Sequence, residues 1–499
     1  MKQASKFEKI AARCWNLLNE GKPFTPIFVV GTILIFNIQE WGESSFWVAA
    51  GFSLLLIVPL LAIYYFFDFP LMLRNYLWLP FTGYLLIWGD TNLHLLFFSL
   101  GLYFFFTVFF WGTLYYHLRI GTTWLNFTRF WKLVLKNSDS TSGNAQEQLP
   151  KFLLILSLWN LFFSRYTLDL SIDYTTYFAF LIGLGVFSWI LHHYLFDWKP
   201  VEKQTYTDNV KENDKPINNK VIMIVIDGMR KERFQEANTP FLDKLRKNGT
   251  EYTQMETVYP ARTVVCFSSM MTGTYPKEHG IKSNMVWKLG IKTESIFDTL
   301  RKVKKKGRLL GVAHLIDSMG DDVEAYTAVG HNDSVDRNII EKAKNMMEKE
   351  NLDFFNIQLI STDQTGHSRG VLYDEYIQKI EEADSLIEEF TSWMEEKGYM
   401  ENTTLLICAD HGQADGIGGH GHLDEGERFV PFFLHGPAIE KGKKVDERHS
   451  LTSVAPTIAY LLGTPYPSHS RGNVLIEALQ QEGKEHNEAE NDRFSTSAQ

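Results

Sequence analysis

Acidic and imidazole side chains stand just after three apolar runs of this sequence and in one glycine-rich stretch. Carboxylate oxygens and imidazole nitrogens are ligands for zinc and for other divalent first-row metals such as manganese. The set is large enough for two ions, each with three protein ligands and an open position. Two such ions about 4 Å apart can stabilise the attacking and leaving oxygens of a phosphoryl displacement. In chain order the residues are Asp227, Asp363, His367, Asp410, His411, His420 and His422.

The apolar runs before these residues have the length and the β-branched content of buried strands. Helical patterns lie between them, and this alternation indicates an α/β domain with a mostly parallel sheet sandwiched by helices. Ligands bind at the carboxyl ends of the strands in such sheets, so polar residues that follow strands are expected to converge there. The predicted strands are Val221–Ile226, Leu309–Ala313, Phe354–Ile360 and Thr404–Cys408, and predicted helices include Thr239–Asn248, Arg337–Glu350 and Tyr373–Lys397.

Each of these residues also has an ordinary interpretation. An aspartate after a strand is commonly a turn or helix-cap residue, and an isolated histidine is commonly a surface or core residue. Chance would rarely put so many of them at strand ends, however. The sequence therefore favours a metal site over a set of unrelated structural residues.

Several segments resemble a known family in their order and spacing over residues 221–478. The family is the type I phosphodiesterase/nucleotide pyrophosphatase branch of the alkaline phosphatase superfamily. The resemblance implies an alkaline phosphatase-like catalytic domain with metal-dependent phosphoester chemistry. The matching segments are VIMIVIDGMR, PARTVVCFSSMMTGTYPKEHGI, STDQTGH, CADHGQ, GGHGH followed by VPFFLHGP, and SVAPTIAYLLG.

The resemblance also implies which residues hold each metal ion, with zinc as the first expectation and manganese as the alternative. The first ion is assigned to Asp227, Asp410 and His411, and the second to Asp363, His367 and His420. Family members place the last histidine in a Gly-x-His-Gly frame some eleven residues before a proline, matched here by Pro431. This frame favours His420, and His422 stays open as the alternative ligand or as its supporting partner.

Thr263 matches the family's nucleophile and would also be a metal ligand. It precedes the apolar helical stretch Val264–Met271, and a hydroxyl at a helix N-terminus lies in positive potential that suits an alkoxide and a phosphate. A plain helix N-cap is the alternative role. Diesterases of this branch usually carry an asparagine three residues after the nucleophile. The position is Cys266 here, a weak hydrogen-bond donor, which puts a nucleotide pyrophosphatase substrate in question.

These observations lead to the hypothesis of a two-metal phosphodiesterase with a covalent phospho-threonine intermediate. With a lipid or glycan hydroxyl as the acceptor, the enzyme would be a phosphotransferase that moves a lipid head group onto an envelope lipid or polymer. A phosphomonoesterase or a mutase of the same superfamily also stays open. A sulfatase is disfavoured, because the window around Thr263 lacks the Cys/Ser-x-Pro-x-Arg frame.

The chain has 499 residues, and its first part differs sharply from the rest in composition. Residues 24–198 are dense in apolar and aromatic residues and predict an all-α bundle of about six transmembrane helices, each needing about 20 apolar residues. Around it we expect a cytoplasmic segment at 1–23, a polar linker at 199–219, the catalytic domain at 220–478 and a disordered acidic tail at 479–499. The predicted spans are Pro26–Gln39, Ser45–Phe67, Leu71–Trp88, Leu93–Tyr116, Phe152–Leu170 and Thr175–Phe196.

Basic residues in the first segment and in the loop 117–151 place both on the cytoplasmic side. The side of the membrane on which the catalytic domain lies then depends on whether the predicted span Phe152–Leu170 crosses the membrane. The net charge is −10 and basic residues form no stripe, so binding of a nucleic-acid polymer is not expected. We expect an integral protein of a bacterial cell membrane that acts on a phosphoester substrate, lipid-linked in the transferase alternative.

Overall fold

The structure, a computed structural model, describes most of the chain. Its residues form two compact units, Met1–Lys199 and Pro200–Gln499. The predicted N-terminal segment, the tail beyond residue 480 and His422 lie outside the described residues. Those residues are 24–67, 69, 71–106, 142–195, 200–284, 290–326, 332–414, 419–421 and 425–480.

The described part of the first unit is helical. Two of its helices are long and apolar enough to cross a membrane, namely Ser44–Phe66 and the continuous helical segment Tyr174–Leu195. The number of crossings stays a prediction, and residues 107–141 are not described. The α-helices are α1 Phe24–Phe36, α2 Ser44–Phe66, α3 Trp78–Ile87, α4 Leu93–Phe104, α5 Ser142–Thr167 and α6 Tyr174–Ile190.

The predicted span Leu71–Trp88 is not one continuous α-helix. A 3-10 helix covers Leu71–Leu77, and α3 begins only at Trp78. Arg74 lies in the 3-10 segment, buried, where its side chain donates to the carbonyl of Phe69 and pairs with Glu147 at 3.3 Å. A charged side chain inside an apolar bundle needs such partners, because an unpaired charge there is costly.

The second unit is built on a nine-stranded mixed sheet with the order β4-β3-β5-β1-β6-β8-β2-β7, and β9 pairs with β2. Pairings from β4 to β6 are parallel, and β8 and β7 pair antiparallel to their neighbours. The expected α/β fold with a mostly parallel core is therefore confirmed. The strands are β1 Lys220–Ile226, β2 Thr250–Glu256, β3 Gly307–Val312, β4 Val323–Tyr326, β5 Phe354–Leu359, β6 Thr403–Cys408, β7 Phe429–Val430, β8 Phe432–His435 and β9 Lys443–Ser450.

Helices connect and cover these strands. The longest, α13 and α15, are amphipathic and bury one apolar stripe each. The helices are α7 Lys231–Glu236, α8 Pro240–Lys247, α9 Thr263–Thr272, α10 Pro276–His279, α11 Ile296–Lys302, α12 Ile316–Met319, α13 Asn332–Lys349, α14 Ser361–Arg369, α15 Asp374–Glu396, α16 Glu425–Arg428 and α17 Val454–Leu462.

Strand β1 lies between β5 and β6 at the centre of the sheet, and the side chains of Val221–Ile226 are all completely buried. Near their carboxyl ends Ile226 pairs with Leu359, and Val225 pairs with Cys408. Because these three parallel strands end in register, the residues that follow each of them emerge at the same edge. This edge carries the candidate site.

Candidate active site

Asp227 is the first residue after β1 and is 3% exposed. Its Oδ2 accepts a 2.6 Å hydrogen bond from Nε2 of Gln358, whereas its buried Oδ1 has no hydrogen-bond partner among the described residues. Gly228 has a φ of +68°, and a Cβ built on it would lie 2.7 Å from Oδ1 of Asp363. Glycine therefore lets two carboxylates approach each other here.

Asp410 and His411 come two and three residues after the end of β6, and both are fully buried. Asp410 accepts from the backbone N–H of Gly228 through Oδ1, and its Oδ2 has no partner among the described residues. Nδ1 of His411 lies 2.9 Å from the carbonyl oxygen of Gly412, so Nδ1 carries a proton and donates to this carbonyl. That Nε2 lies 3.5 Å from Oδ1 of Asp227 and 3.4 Å from Oδ2 of Asp410.

Asp363 lies in the first turn of α14, and His367 follows one turn later with its Nε2 3.3 Å from Oδ2 of Asp363. Gln413 donates to the other carboxylate oxygen, Oδ1, at 2.6 Å. His420 has its Nε2 3.7 Å from the same oxygen, and its Nδ1 lies 2.7 Å from the carbonyl of Ala261. Nδ1 of His420 therefore donates to this carbonyl, and its Nε2 lies on the side of the Asp363 carboxylate.

The ligand atoms form two adjoining groups. One comprises Asp227, Asp410 and His411, and the other comprises Asp363, His411 and His420; the three ligand atoms of each group lie within 4.8 Å of one another. His411 belongs to both. The structure thus brings together the side chains that the sequence assigned to two metal ions, with His367 beside the second group.

Buried charge makes this cluster unusual. Burial, with the nearby carboxylates of Asp410 and Asp363, raises the pKa of Asp227 well above its ordinary value. Burial likewise raises the pKa of Asp410. For Asp363 burial acts in the same direction, but the imidazoles led by that of His367 outweigh it and lower the pKa. Carboxylates with unpartnered buried oxygens beside imidazole rings are the donor set that divalent cations bind, so the residues fit the expected metals.

Thr263 begins α9 and lies at the same place, with its Oγ1 3.3 Å from Nε2 of His411. The next backbone N–H, that of Val264, donates to Oδ1 of Asn284 at 2.9 Å. The helix N-terminus and this hydroxyl face the metal groups together, which is a favourable position for a phosphate. The sulfur of Cys266 instead lies 3.3 Å from Oγ1 of Thr257.

Sequence reasoning missed three amide side chains at this site. Asn284 fixes the start of helix α9 by accepting through Oδ1, and that bond does not use its Nδ2 donor. An amide donor is therefore present at the site, although the position where the family usually has asparagine is Cys266. Gln358 and Gln413 each hold one carboxylate through Nε2. Gln358 was detectable in principle, because it is one of two polar residues, with Asn356, inside the mainly apolar strand β5.

Two family models match the second unit of the chain. The family model for type I phosphodiesterase / nucleotide pyrophosphatase matches residues 221–306, and the sulfatase model matches residues 321–464. The second unit of the chain is thus similar to members of these two families over the matched residues. The sulfatase match does not include Thr263 and so does not bear on the nucleophile.

Curated proteins similar to this chain include transferases and a phosphodiesterase. GPI ethanolamine phosphate transferase 2 from Aspergillus fumigatus is 24% identical over 286 residues, which are 52% of this chain and 37% of the relative. The catalytic subunit of human GPI ethanolamine phosphate transferase 3 is 31% identical over 149 residues, 29% of this chain and 13% of the relative. Human ectonucleotide pyrophosphatase/phosphodiesterase family member 1 is 25% identical over 219 residues, which are 39% of this chain and 24% of the relative. The chain thus spans well under half the length of these relatives.

Similar solved structures include the alkaline phosphatase PafA, with a TM-score of 0.46 at 11% identity over 54% of this chain and 100% of that one. Murine ectonucleotide pyrophosphatase / phosphodiesterase 5 gives a TM-score of 0.44 at 16% identity over 51% of this chain and 97% of that one.

Proposed function

We propose that this protein is a membrane-anchored phosphotransferase that moves a phospho-head group, phosphoethanolamine in the first instance, from a membrane lipid onto a hydroxyl of an envelope lipid or polymer. The observation that carries the phosphoryl chemistry is the 3.3 Å approach of the Thr263 hydroxyl to Nε2 of His411, a residue of both ligand groups. Relatives named ethanolamine phosphate transferases support the choice of a transferase. Two helices long and apolar enough to cross a membrane support a lipid-linked substrate.

Two divalent ions, zinc as the first expectation, would be held by Asp227, Asp410 and His411 and by Asp363, His367 and His420. When bound they would stabilise the negative charge that develops on the attacking and leaving oxygens and lower the pKa of the threonine hydroxyl. The protein itself provides the orientation. Gln358 and Gln413 hold two of the carboxylates, and two backbone carbonyls orient the rings of His411 and His420 by accepting from their Nδ1 atoms.

The reaction then proceeds in two in-line steps. In the first, Oγ1 of Thr263 bonds to the phosphorus of the donor lipid, and the bond from phosphorus to the diacylglycerol oxygen breaks. The departing oxygen takes up the proton that the threonine lost, which leaves a phospho-threonine diester. In the second, the acceptor oxygen bonds to this phosphorus, the bond from phosphorus to Oγ1 of Thr263 breaks, and the acceptor's proton passes to Oγ1.

The second candidate is hydrolysis, in which water replaces the acceptor hydroxyl. The match to the nucleotide pyrophosphatase model and the human ectonucleotide pyrophosphatase favours it. Both candidates share the first step and differ only in the acceptor. A single experiment can therefore test the nucleophile and identify the acceptor.

That experiment follows the ethanolamine label of phosphatidylethanolamine in vesicles that contain the full-length protein and a glycolipid acceptor. We expect labelled glycolipid and diacylglycerol, sensitive to a chelator, and no turnover with Thr263→Ala. Thr253→Ala, a threonine of β2, is the control that should behave like the unmodified protein. Water-soluble phosphoethanolamine as the main product with acceptor present would establish the hydrolase instead, and full activity of Thr263→Ala would end both candidates.

A further inference from the structure

A second cluster of metal-ligating side chains lies on a different part of the sheet. Glu447 and His449 are on β9, which pairs only with β2 among the described strands, with His449 opposite Met255. Glu477 is in the 3-10 turn Ile476–Ala478. One ligand atom from each of Glu447, His449 and Glu477 lies within 4.8 Å of those of the other two. The cluster shares no residue with the proposed catalytic centre.

The histidine of this cluster is buried without satisfying its hydrogen-bonding capacity. His449 is 9% exposed, and its Nε2 has no hydrogen-bond partner among the described residues. Buried polar atoms nearly always have a partner, so an orphaned imidazole nitrogen next to two carboxylates calls for a physical cause. Burial also lowers the pKa of His449, even though Glu477 and Glu447 act in the opposite direction.

Tyr252 of β2 fixes two members of the cluster. Its hydroxyl donates to Oε2 of Glu477 at 3.3 Å, and lies 3.2 Å from the carbonyl of Leu475. Its ring packs edge-on against the ring of His449, with centroids 5.0 Å apart. A hydrogen bond that orients a carboxylate and a packed ring that orients an imidazole are typical supports of a metal site.

A simple ion pair does not explain the spacing. A histidine paired with a glutamate would have a ring nitrogen within hydrogen-bonding distance of a carboxylate oxygen, and Nε2 of His449 has no such partner. The three ligand atoms lie within 4.8 Å of one another, close enough to be gathered around one ion with ligand distances of about 2.0–2.2 Å.

We propose that Glu447, His449 and Glu477 bind one divalent first-row transition-metal ion of the zinc type, with the fourth position open to water. The ligand set of one imidazole and two carboxylates balances the charge of a 2+ ion and suits zinc. The ion fastens the turn Ile476–Ala478 to strand β9, and so has a structural role. This site is independent of the proposed function.

The test measures zinc bound to the full-length protein in detergent by equilibrium dialysis and elemental mass spectrometry. Asp363→Asn and Asp410→Asn are combined in the starting protein, so that the catalytic centre is impaired. We expect Glu477→Gln to remove one equivalent of zinc from this protein, because the substitution removes a charged ligand with almost no change in volume. His449→Phe, which keeps a ring against Tyr252, should have the same effect.

His469→Ala removes an exposed histidine of the same unit and is the matched control, which should keep the full zinc content. Circular dichroism confirms that each variant is folded, and Glu477→Gln decides the outcome if His449→Phe unfolds. A starting protein that binds no zinc, or a folded Glu477→Gln variant with unchanged zinc content and affinity, would overturn the proposal. Loss of catalytic activity alone bears only on the proposed function.

Discussion

The imidazole rings of His411 and His420 are stacked, with centroids 3.8 Å apart and ring planes 19° apart. Each ring donates through Nδ1 to a backbone carbonyl, of Gly412 and of Ala261 respectively. Their Nε2 atoms consequently face the carboxylates of the two ligand groups. Ring stacking and these two hydrogen bonds together fix the orientation of both imidazoles.

His411 should matter more for metal binding than His367. A nitrogen of His411 belongs to both ligand groups, whereas His367 lies beside only one of them. We expect His411→Ala to remove zinc from both groups and His367→Ala to remove one equivalent. Elemental analysis of the dialysed full-length variants measures this directly. Equal losses from the two variants would show that the groups are not bridged by His411.

Gln358 should support metal binding although it is not a ligand. Its Nε2 donates to Asp227 and its Oε1 accepts from the backbone N–H of Val312. Because both ends of the amide are bonded, the amide holds the carboxylate in a fixed position. Loss of such a supporting bond typically weakens metal affinity about 10–100-fold. We expect this loss in Gln358→Leu, measured by competition with a zinc indicator.

The matched control for this variant is Asn356→Leu. Asn356 is also buried on β5, two residues earlier, and it contacts no carboxylate in any hydrogen bond of the described residues. Its replacement should leave the zinc affinity unchanged. Similar zinc affinities for the two leucine variants would show that Gln358 does not support metal binding.

Gly366→Ala should act on the site through Gln413. A Cβ at position 366 would lie 1.7 Å from Oε1 of Gln413, and that buried side chain can move only by giving up its bond to Asp363. We expect a lower turnover in Gly366→Ala and in Gln413→Ala, with the double variant no worse than the single ones. Additive effects in the kinetic double-mutant cycle would contradict this coupling.

Asn284 should contribute to turnover through its amide donor. Removal of one donor that stabilises a developing negative charge typically costs about 100-fold or more in kcat. We expect a loss of that size in Asn284→Ala. Asn284→Asp keeps an acceptor for the N–H of Val264 but has no donor, and it should be equally slow. Normal kcat in the aspartate variant would limit the role of Asn284 to capping the helix.

His279 should make the second unit sensitive to acid. Its Nδ1 accepts from the N–H of Ile281 and its Nε2 donates to Ser269, so protonation would break the first bond. Burial lowers its pKa from 6.5 to about 3. Between these values the unfolded chain binds a proton that the folded chain does not, so stability is complete above pH 6.5 and falls as the pH falls, by up to about 1.4 kcal/mol per pH unit.

Thermal unfolding of the full-length protein between pH 5 and pH 7.5 measures this dependence. His279→Gln removes the titrating group, and we expect its pH dependence to be smaller than that of the unmodified protein. His469→Gln, at an exposed histidine, is the control that should retain the full dependence. Equal pH profiles for all three proteins would contradict the assignment to His279.

The sequence by itself determined the central part of the sheet. β1, β5 and β6 are short runs of apolar residues that only a doubly covered parallel sheet can bury, and the acidic residues after them were expected at one edge for that reason. β2 and β9 were missed, because their alternation of charged and apolar residues is weak and their pairing joins segments almost 200 residues apart in the chain. Local pattern does not encode such pairing.

The same division applies to the site. Asp227, Asp363 and Asp410 follow strands and were found from the sequence, and the resemblance supplied Thr263; their roles remain predictions. Only the tertiary structure decided that His411 stands between both ligand groups. It also decided that Gln358 and Gln413 hold carboxylates and that Asn284 fixes the start of α9. It also brought His449 of β9 to Glu477. The physical reason is that an amide or imidazole gains its role from a partner distant in sequence, whereas a strand and its terminus are set by neighbouring residues.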